Sequence, residues 1–430
     1  MREKNVILLI GVILALIFSM GGCKKKEPGP HVVLFVIDTL GAKHLPFHGY
    51  EKNTAPFLAT LSSQNIMFEN AFSTSSWTAP ATASILTSLY PFQHGVIMGM
   101  AASLENKIEL NRIPEEVKTL TEVLKESGYA TYCVAENINI NEKMGFSQGF
   151  DKFKRLIYTK FKIQEQLVEW SDEIKSQKKY FLYIHYNDPH KPYYRRSPWY
   201  EKKRNPRADL VSRHDSEINY VDEKIRKMYE LFNWDRNTLL VITADHGEEF
   251  WEHDSQGHGR TLYSEVIHVP MIIQFPGKDR IQKRMIENVT NLDILPTIRG
   301  YLGIESNETE EGMDLMPLIQ GNGGYDPQRF LFSHLYRMRR QNGDLRFIST
   351  ISGEWKLIYQ VEGEAQELYN LKEDPEEQRN AYDENAETGD LLLSEFLKFE
   401  QNSNKFSRKK IEIFLDEKKI EELKALGYVK

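Results

Sequence analysis

The chain has 430 residues, of which 40% are hydrophobic and 27% are charged, as expected for a globular protein with a full core. Its formal net charge of -7 provides no basic excess to neutralise phosphates, which argues against nucleic acid as the main partner. The two cysteines, Cys23 and Cys133, are too few for a disulfide framework or a zinc-thiolate site.

The first 23 residues differ from the rest of the chain. A basic start, "MREK", precedes the apolar run "VILLIGVILALIFSM" and the small-residue end "GGC" at Cys23, as in a secretory signal. The segment resembles a bacterial lipoprotein signal, in which Cys23 is lipidated; an uncleaved signal anchor is the alternative. We therefore expect a signal peptide over 1–23, a tether over 24–30, and a body that lies outside the cytoplasm and is anchored to a membrane.

Apolar strand-like runs alternate with helical patterns from residue 31 to about residue 330. Runs typical of strands buried on both faces are "HVVLFVID", "YATYCVAE", "KKYFLYIHYNDPH", "NTLLVITADHG" and "HVPMIIQFPG". Helical spacing occurs in "KTLTEVLKESG" and in "DSEINYVDEKIRKMYELF". This alternation predicts an α/β catalytic domain over 31–330, with a large, mostly parallel sheet sandwiched by helices.

The pattern changes after residue 330. "RFISTISGEWKLIYQ" alternates like short antiparallel strands, and the tail "IEIFLDEKKIEELKALGYVK" reads as an amphipathic helix. We expect residues 331–430 to form a smaller C-terminal α+β subdomain with a small antiparallel sheet and a terminal helix.

Three predicted strands run into Asp or His at their carboxyl ends, in "VID", "HYNDPH" and "ADHGEE". Ligands of parallel α/β sheets bind at this edge. Asp38, Asp245 and His246 therefore predict a metal site, with Thr78 as a hydroxyl ligand at the start of a helix in "SSWTAPATASILTSLYP". A divalent cation lowers the pKa of a bound hydroxyl, which would make Thr78 a nucleophile.

Each residue alone has a simpler interpretation. Thr78 and Asp38 are both residue types that cap helices. "WEHDSQGHGR" has the composition of a solvated loop, and "DPHKPY" that of a proline-stiffened turn. The basic loop "HKPYYRRSPWYEKKRNPR" is either solvated or an approach for an anionic substrate. Only the joint pattern favours a catalytic site.

The joint pattern also resembles a known family. "VLFVIDTLGAKHLPFHGYEKNTAPFLATLSS", "SWTAPATASILTSLYPFQHGV", "HYNDPHKPY", "TADHGEEFWEHDSQGHGRTLYSEVIHVPMIIQFPG", "NLDILPTIRGYLGI" and "ELYNLKEDPEEQRN" follow one another as in the sulfatases of the alkaline phosphatase superfamily. The resemblance spans roughly Val32 to Asn380 and implies an α/β sandwich, one catalytic divalent metal and a covalent intermediate.

The resemblance also implies roles for individual residues. Asp38, Asp245 and His246 match metal ligands, and Thr78 falls where sulfatases have the Cys or Ser that becomes formylglycine, at once nucleophile and ligand. His190 matches a contact to the substrate anion. His258, with Arg260 as a second choice, falls near a cation beside the leaving group. Asp188 is a further substrate-binding candidate; alternatively, Asp188, His190 and His258 bind a second metal.

Two departures from the family pattern change the expected chemistry. The sulfatase signature has Cys or Ser, any residue, Pro, Ser and Arg, whereas this chain has Thr78, Ala79, Pro80, Ala81 and Thr82. No formylglycine is therefore expected. Thr39 stands where many sulfatases have a second Asp, and a site with one fewer carboxylate and a His fits Mn, Zn or Mg better than Ca.

Three functional hypotheses follow. The first is hydrolysis or transfer of a phosphoric ester through a Thr78 intermediate, because a phospho-threonine can be attacked in line by water or an alcohol. The second is a sulfuric ester hydrolase without formylglycine. The third is a non-catalytic metal-binding lipoprotein. The expected partner is an anionic ester, such as a lipid head group, an envelope glycan or a small ester.

Overall fold

The computed structural model describes residues 29–100, 103–104, 107–156, 162–305, 309–337, 344–403, 406 and 410–414. The predicted signal peptide 1–23, including Cys23, and most of the predicted tether lie outside these residues. Within the described part of the chain, no helix has both the length and the apolar character needed to cross a membrane.

The large domain is an eight-stranded sheet flanked by helices. Its strands are β1 (His31–Ile37), β2 (Ile66–Phe72), β5 (Ala130–Ala135), β6 (Lys152–Arg155), β7 (Tyr180–Tyr186), β8 (Thr238–Ala244), β11 (His268–Gln274) and β12 (Lys283–Thr290). Its α-helices are α1 (Pro56–Gln64), α2 (Thr78–Thr87), α3 (Pro91–His94), α4 (Leu120–Glu126), α5 (Ile163–Ser176), α6 (Pro206–Phe232), α7 (Ser264–Ile267), α8 (Ile294–Leu302) and α9 (Met316–Ile319).

The strand order is β12-β2-β11-β8-β1-β7-β5-β6. Only β11 runs against its neighbours, β2 and β8, so the sheet is mostly parallel as predicted. Strands β1, β7 and β8 are almost wholly buried. Because helices cover both faces of the sheet, the residues of these strands are mostly apolar and do not alternate with polar ones. Cys133 lies in β5 as a buried free thiol.

The smaller C-terminal sheet is antiparallel, as predicted. Its order is β13-β14-β15-β16, formed by Leu331–Arg337, Leu345–Ser352, Trp355–Gln360 and Ala365–Asn370. Helix α10 (Ala386–Asn402) covers this sheet, with Phe396 packed against Phe332 and Ile348. The subdomain joins the large domain through backbone contacts such as His334 N to Thr74 O, 2.8 Å.

The prediction of a helix over the whole tail is wrong at its start. Ile411 to Phe414 lie in strand β17 (Lys410–Phe414), which pairs antiparallel with β4 (Lys107–Asn111) beside β3 (Ser103–Leu104). The alternation of apolar and charged residues in "KIEIF" is compatible with a strand that has one covered face. Pairing with the edge of β4 makes this segment a strand rather than a helix. The rest of the tail lies outside the described residues. The remaining short pair is β9 (Glu249–Phe250) with β10 (Gln256–Gly257).

Candidate metal and catalytic site

The candidate site lies at the carboxyl ends of four adjacent strands. Strands β1 and β8 are in parallel register, with Ile37 opposite Ala244, so the residues that follow them, Asp38 and Asp245, emerge side by side. Strand β7 brings His185 from the other side of β1, and Asn137 follows the end of β5. This edge is where parallel α/β sheets bind their ligands.

The buried carboxylates of Asp38 and Asp245 face a nitrogen atom of His246 that has no proton to donate to them. His246 Nδ1 lies 2.8 Å from the carbonyl oxygen of Gly247, to which it can only donate, so Nε2 carries a lone pair. Nε2 faces Asp38 Oδ1 at 3.5 Å and Asp245 Oδ2 at 3.6 Å. Three acceptors that converge without a proton between them form a cradle for a cation.

The unsatisfied atoms support the same conclusion. Asp38 Oδ1, Asp245 Oδ2 and His185 Nε2 are buried and have no hydrogen-bond partner among the described residues. His185 Nε2 lies 3.7 Å from Asp38 Oδ2 and 3.9 Å from Asp245 Oδ2. Buried polar atoms are normally paired, so these atoms and their donor types fit a bound divalent cation.

The buried surroundings shift the pKa values of Asp245, Asp38 and His246. Burial, and then the adjacent carboxylate of Asp38, raise the pKa of Asp245 well above its ordinary value. Burial also acts to raise the pKa of Asp38, but the neighbouring imidazoles, that of His190 foremost, hold it below its usual range. Burial lowers the pKa of His246 to about 3, which keeps its ring neutral and able to bind a metal.

Thr78 is the first residue of helix α2, and its hydroxyl faces the carboxylates. Thr78 Oγ1 lies 3.4 Å from His246 Nε2 and 3.4 Å from Asn137 Nδ2. The N-cap position belongs to Trp77, so Thr78 is not the helix cap that its residue type alone suggested. The positive end of the helix dipole points into the site and favours an anionic group there.

Two histidines stand beside this cluster. The ring of His258 lies 4.5 Å from that of His246 and 5.0 Å from that of His190, between ring centroids. His258 Nδ1 lies 2.9 Å from Glu248 Oε1, and Glu248 also accepts a hydrogen bond from Tyr193. Burial opposes a charge on His258, but Glu248 outweighs it and raises the pKa of that imidazole.

Two models of known protein families match this chain. A family model described as "Sulfatase" matches residues 30–304, well over half of the chain. The chain belongs to the sulfatase family. A second model, "N-sulphoglucosamine sulphohydrolase, C-terminal", matches residues 252–400 and so includes the small antiparallel sheet.

The chain is similar in sequence to proteins named as sulfatases, and it shares its fold with one named as a phosphonate monoester hydrolase. It is similar to an "Ulvan-active sulfatase" of Formosa agariphila, with 25% identity over 72% of this chain and 70% of the relative. It is also similar to human "Arylsulfatase A", with 23% identity over 71% of each chain. The phosphonate monoester hydrolase of Agrobacterium radiobacter shares the fold, with a TM-score of 0.69, 16% identity and coverage of 86% and 94%. The protein is a sulfatase-family ester hydrolase.

The structure brings together most of the residues singled out in the sequence. Asp38, Thr78, Asp245 and His246 form the centre, and His190 and His258 lie beside it. Arg260 is exposed two residues beyond His258. Asp188 is buried in an ion pair with Lys224 at 2.7 Å. The Lys224 ammonium already neutralises that carboxylate, which argues against a second cation between Asp188, His190 and His258.

Sequence reasoning missed Asn137, His185 and Glu248. Asn137 donates to Asp38 Oδ2 and also lies against Thr78. His185 is held by Tyr183, whose hydroxyl is 3.0 Å from His185 Nδ1. His185 lies at the end of β7, and Asn137 and Glu248 lie in the loops that follow β5 and β8. This position at the carboxyl ends of strands is the feature by which the sequence could have identified them as site residues.

Close packing fixes the loop that carries Asp245 and His246. A Cβ atom on Gly247 would lie 2.1 Å from the carbonyl oxygen of Glu265 and 3.0 Å from the Cα of Gly41. The loops after β1 and β8 therefore cross at a point where no side chain fits. Glycine at position 247 therefore allows the loop that carries Asp245 and His246 to pack against the loop that follows Asp38.

Proposed function

We propose that this sulfatase-family protein hydrolyses or transfers an anionic ester through a covalent intermediate on Thr78, and that the ester is phosphoric rather than sulfuric. The observation that carries the proposal is the placement of the Thr78 hydroxyl. It is only 3% exposed, it lies at a helix N-terminus, and it faces the cradle of unsatisfied carboxylate and imidazole atoms.

Asp38, Asp245 and His246 would hold one divalent cation, with Thr78 Oγ1 as a further ligand. Two carboxylates, one imidazole and one hydroxyl suit Mn, Zn or Mg better than Ca, which prefers oxygen ligands alone. When bound, such a cation lowers the pKa of an adjacent hydroxyl and neutralises an anionic ester. Asn137, which contacts both Asp38 and Thr78, would orient the hydroxyl toward the substrate.

The reaction divides into two in-line displacements at phosphorus. Thr78 gives its proton to solvent and its Oγ1 bonds to phosphorus, while the bond from phosphorus to the alkoxy oxygen breaks. That oxygen takes a proton from His258, whose position Glu248 fixes. Water then attacks phosphorus, the bond to Thr78 Oγ1 breaks, the water proton passes to His258, and Thr78 regains a proton from solvent. An alcohol in place of water gives transfer.

The nucleophile favours phosphorus over sulfur. A formylglycine hydrate can expel sulfate by re-forming its aldehyde, but a threonine ester has no such exit. A threonine phosphoester, in contrast, is open to attack at phosphorus by water or an alcohol. The curated sulfatase relatives support a sulfuric ester as the second candidate substrate.

Mass spectrometry of the Thr78 peptide tests the proposal. The protein is incubated briefly with 4-nitrophenyl phosphate, its phosphodiester and 4-nitrophenyl sulfate in separate reactions, because phosphoryl and sulfuryl groups have nearly equal masses. We expect an adduct on Thr78 from a phosphate ester. Thr78→Ala should abolish it, whereas Thr87→Ala should retain it, since the Thr87 hydroxyl bonds to Ala83 O at the other end of the same helix.

The other outcomes are equally informative. A sulfuryl adduct on Thr78 would support the sulfatase alternative and overturn the choice of a phosphoric ester. Hydrolysis that survives in Thr78→Ala would overturn the covalent intermediate. A folded, metal-loaded protein that forms no adduct with any of these esters, and hydrolyses none, would favour a non-catalytic metal-binding lipoprotein.

Leaving-group dependence tests the role of His258 separately. We expect His258→Gln to slow hydrolysis of alkyl phosphates at least tenfold more than that of nitrophenyl phosphates, because a nitrophenolate leaves without a proton. Equal slowing of both esters would remove His258 as the acid. Lys191→Gln, next to His190 and exposed, is the matched control for a change of charge near the site.

We also propose that lipid on Cys23 anchors the protein outside the cytoplasm. The bases are the sequence order of basic, apolar and small residues before Cys23 and the short tether after it. Cys23→Ser should release the protein from the membrane fraction or leave its precursor uncleaved, and should abolish incorporation of labelled fatty acid. Unchanged labelling would refute lipidation at Cys23.

A further inference from the structure

A second buried cluster of metal-ligand side chains lies behind the candidate site. It consists of His44, from the short 3-10 turn after β1, and His214 and Asp215, adjacent residues of helix α6. Their exposed fractions are 3%, 0% and 5%, so bulk water does not reach them. Neither the proposed reaction nor the candidate catalytic metal uses these three side chains.

The spacing of the cluster matches a tetrahedral site. His44 Nδ1 lies 3.4 Å from Asp215 Oδ1, close to the separation of about 3.3 Å between two ligands with bonds of about 2.0 Å at the tetrahedral angle. One ligand atom from each of the three residues lies within 4.8 Å of the other two. The imidazole rings of His44 and His214 meet edge to face, with centroids 4.8 Å apart.

Apart from the contact of 3.4 Å between His44 Nδ1 and Asp215 Oδ1, three of the four ring nitrogens have no hydrogen-bond partner among the described residues. Neither nitrogen of His44 makes a hydrogen bond of ordinary geometry within the described part of the chain, and neither does His214 Nδ1. His214 Nε2 lies 3.4 Å from the carbonyl oxygen of Thr39, to which it can only donate. That tautomer leaves the lone pair on Nδ1, and a backbone carbonyl on the second nitrogen is the usual support of a metal-bound histidine.

Two neighbouring side chains, Lys52 and Tyr50, hold the carboxylate of Asp215. Lys52 Nζ lies 2.7 Å from Asp215 Oδ2, and the Tyr50 hydroxyl lies 3.0 Å from the same oxygen and 3.2 Å from Oδ1. Oδ2 thus has the shorter contacts, and Oδ1 is the oxygen that faces His44. The side chain of Lys52 is 41% exposed, so solvent screens its charge from the interior.

We propose that His44, His214 and Asp215 bind a second divalent metal ion, with zinc as the best match. Two imidazoles and one carboxylate are a zinc donor set, whereas Ca and Mg prefer oxygen ligands. The burial of the three side chains makes the ion structural: it ties the turn after β1 to helix α6. This inference does not depend on the reaction proposed for Thr78.

The position of the ion explains what it would stabilise. His214 supports the carbonyl of Thr39, a β-branched residue with φ of +57 that directly follows Asp38. Phe250 packs against the rings of both His44 and His214, and Tyr193 packs on His214 while donating to Glu248. A cation here would hold in place the strained backbone of Thr39, next to Asp38, and Glu248, which supports His258.

Metal counting in variants separates the two sites. The full-length chain, purified in detergent, is stripped with a chelator, reloaded with zinc alone, desalted and analysed for zinc per chain. We expect two zinc ions in the wild type, one in Asp245→Ala and none in Asp245→Ala/His214→Gln. Adding His48→Gln instead should leave one, since His48 is a largely buried histidine of the same region that packs on His268.

Several outcomes would overturn the proposal. One zinc in the wild type with none in Asp245→Ala, two zincs that Asp245→Ala removes together, or a zinc that survives in Asp245→Ala/His214→Gln would each place no metal at this cluster. If the histidine variants do not fold, anomalous diffraction from wild-type crystals grown with zinc decides the matter. A peak between His44, His214 and Asp215 is expected, and its absence in zinc-loaded protein refutes the site.

Discussion

The candidate catalytic site and the junction between the two domains both bury charge, but they neutralise it differently. At the junction, Lys356 and Glu377 are fully buried and 2.7 Å apart, and Glu377 also accepts a hydrogen bond from the backbone N–H of Ser264. At the candidate site, Asp38 and Asp245 have no cationic Lys or Arg against them among the described residues. At the junction the chain supplies its own cation and the buried pair holds structure; at the candidate site it supplies none, and the two carboxylates are available to a ligand.

The first prediction concerns activity and has the largest expected effect. Asp245→Asn should lower the rate of ester hydrolysis about 10³- to 10⁴-fold, about 4 to 5.5 kcal/mol, because the cation loses one of its two carboxylates. Initial rates on the ester that modifies Thr78 measure it. Asp254→Asn, a change at an exposed position in a nearby loop, should retain the wild-type rate. More than a tenth of the activity in Asp245→Asn would contradict the ligand assignment.

The second prediction concerns the junction, where the same kind of change should cost stability rather than activity. Lys356→Met should lower the free energy of unfolding by about 3 to 4 kcal/mol, because it leaves the Glu377 carboxylate buried without its partner. Urea denaturation measures the loss. The double variant Lys356→Met/Glu377→Gln should recover part of it, since no charge is then stranded. A loss below about 1 kcal/mol in the single variant would show that Glu377 is neutralised in another way.

The contrast also explains which features the sequence could predict. The strand-end residues Asp38, Asp245 and His246 were predictable because parallel strands place their carboxyl ends at one edge, whatever the detailed packing. The mostly parallel sheet and the antiparallel C-terminal sheet were predictable from continuous and alternating apolar runs, respectively.

Features that depend on partners distant in sequence were not predictable. The sequence around Asp188 does not indicate that its carboxylate forms an ion pair with Lys224 of helix α6. Strand β17 forms because β4 offers an edge some 300 residues earlier in the chain, while the residues of β17 also suit a helix. His44 and Asp215 are likewise brought together only by the packing of helix α6 on the turn after β1.

The third prediction is that a substitution of a buried polar residue increases the stability of the protein, where such a change normally decreases it. In the presence of a chelator, Asp245→Asn should raise the free energy of unfolding by about 2 kcal/mol, because it removes one of two facing carboxylates that no cation neutralises. With the catalytic metal in excess, the order should reverse and the wild type should be the more stable. Denaturation in both buffers measures the crossover. An Asn variant that is less stable in both would mean that the wild-type carboxylates are neutralised without metal.

The fourth prediction returns to the junction, where the protein supplies both charges and one of them titrates. His253 Nδ1 lies 2.7 Å from Glu265 Oε1, its Nε2 lies 3.0 Å from the carbonyl of Glu377, and its ring stacks on Tyr263. Burial acts to lower the pKa of His253, but Glu265 outweighs it and raises that pKa to about 9, above the ordinary 6.5. A raised folded-state pKa means that the stabilisation is complete below pH 6.5 and is lost as the pH rises through 9.

His253→Gln isolates this contribution. At pH 6 the variant should be less stable than the wild type by about 2 kcal/mol, and the difference should largely vanish by about pH 10, because the wild-type imidazole is then neutral as well. Unfolding at several pH values, with His48→Gln as the control for loss of a histidine elsewhere, measures the trend. A difference that stays constant with pH would show that His253 acts through packing on Tyr263 alone. A difference that fades with rising pH would show that the junction, unlike the candidate site, is held by a charge pair that the chain completes itself.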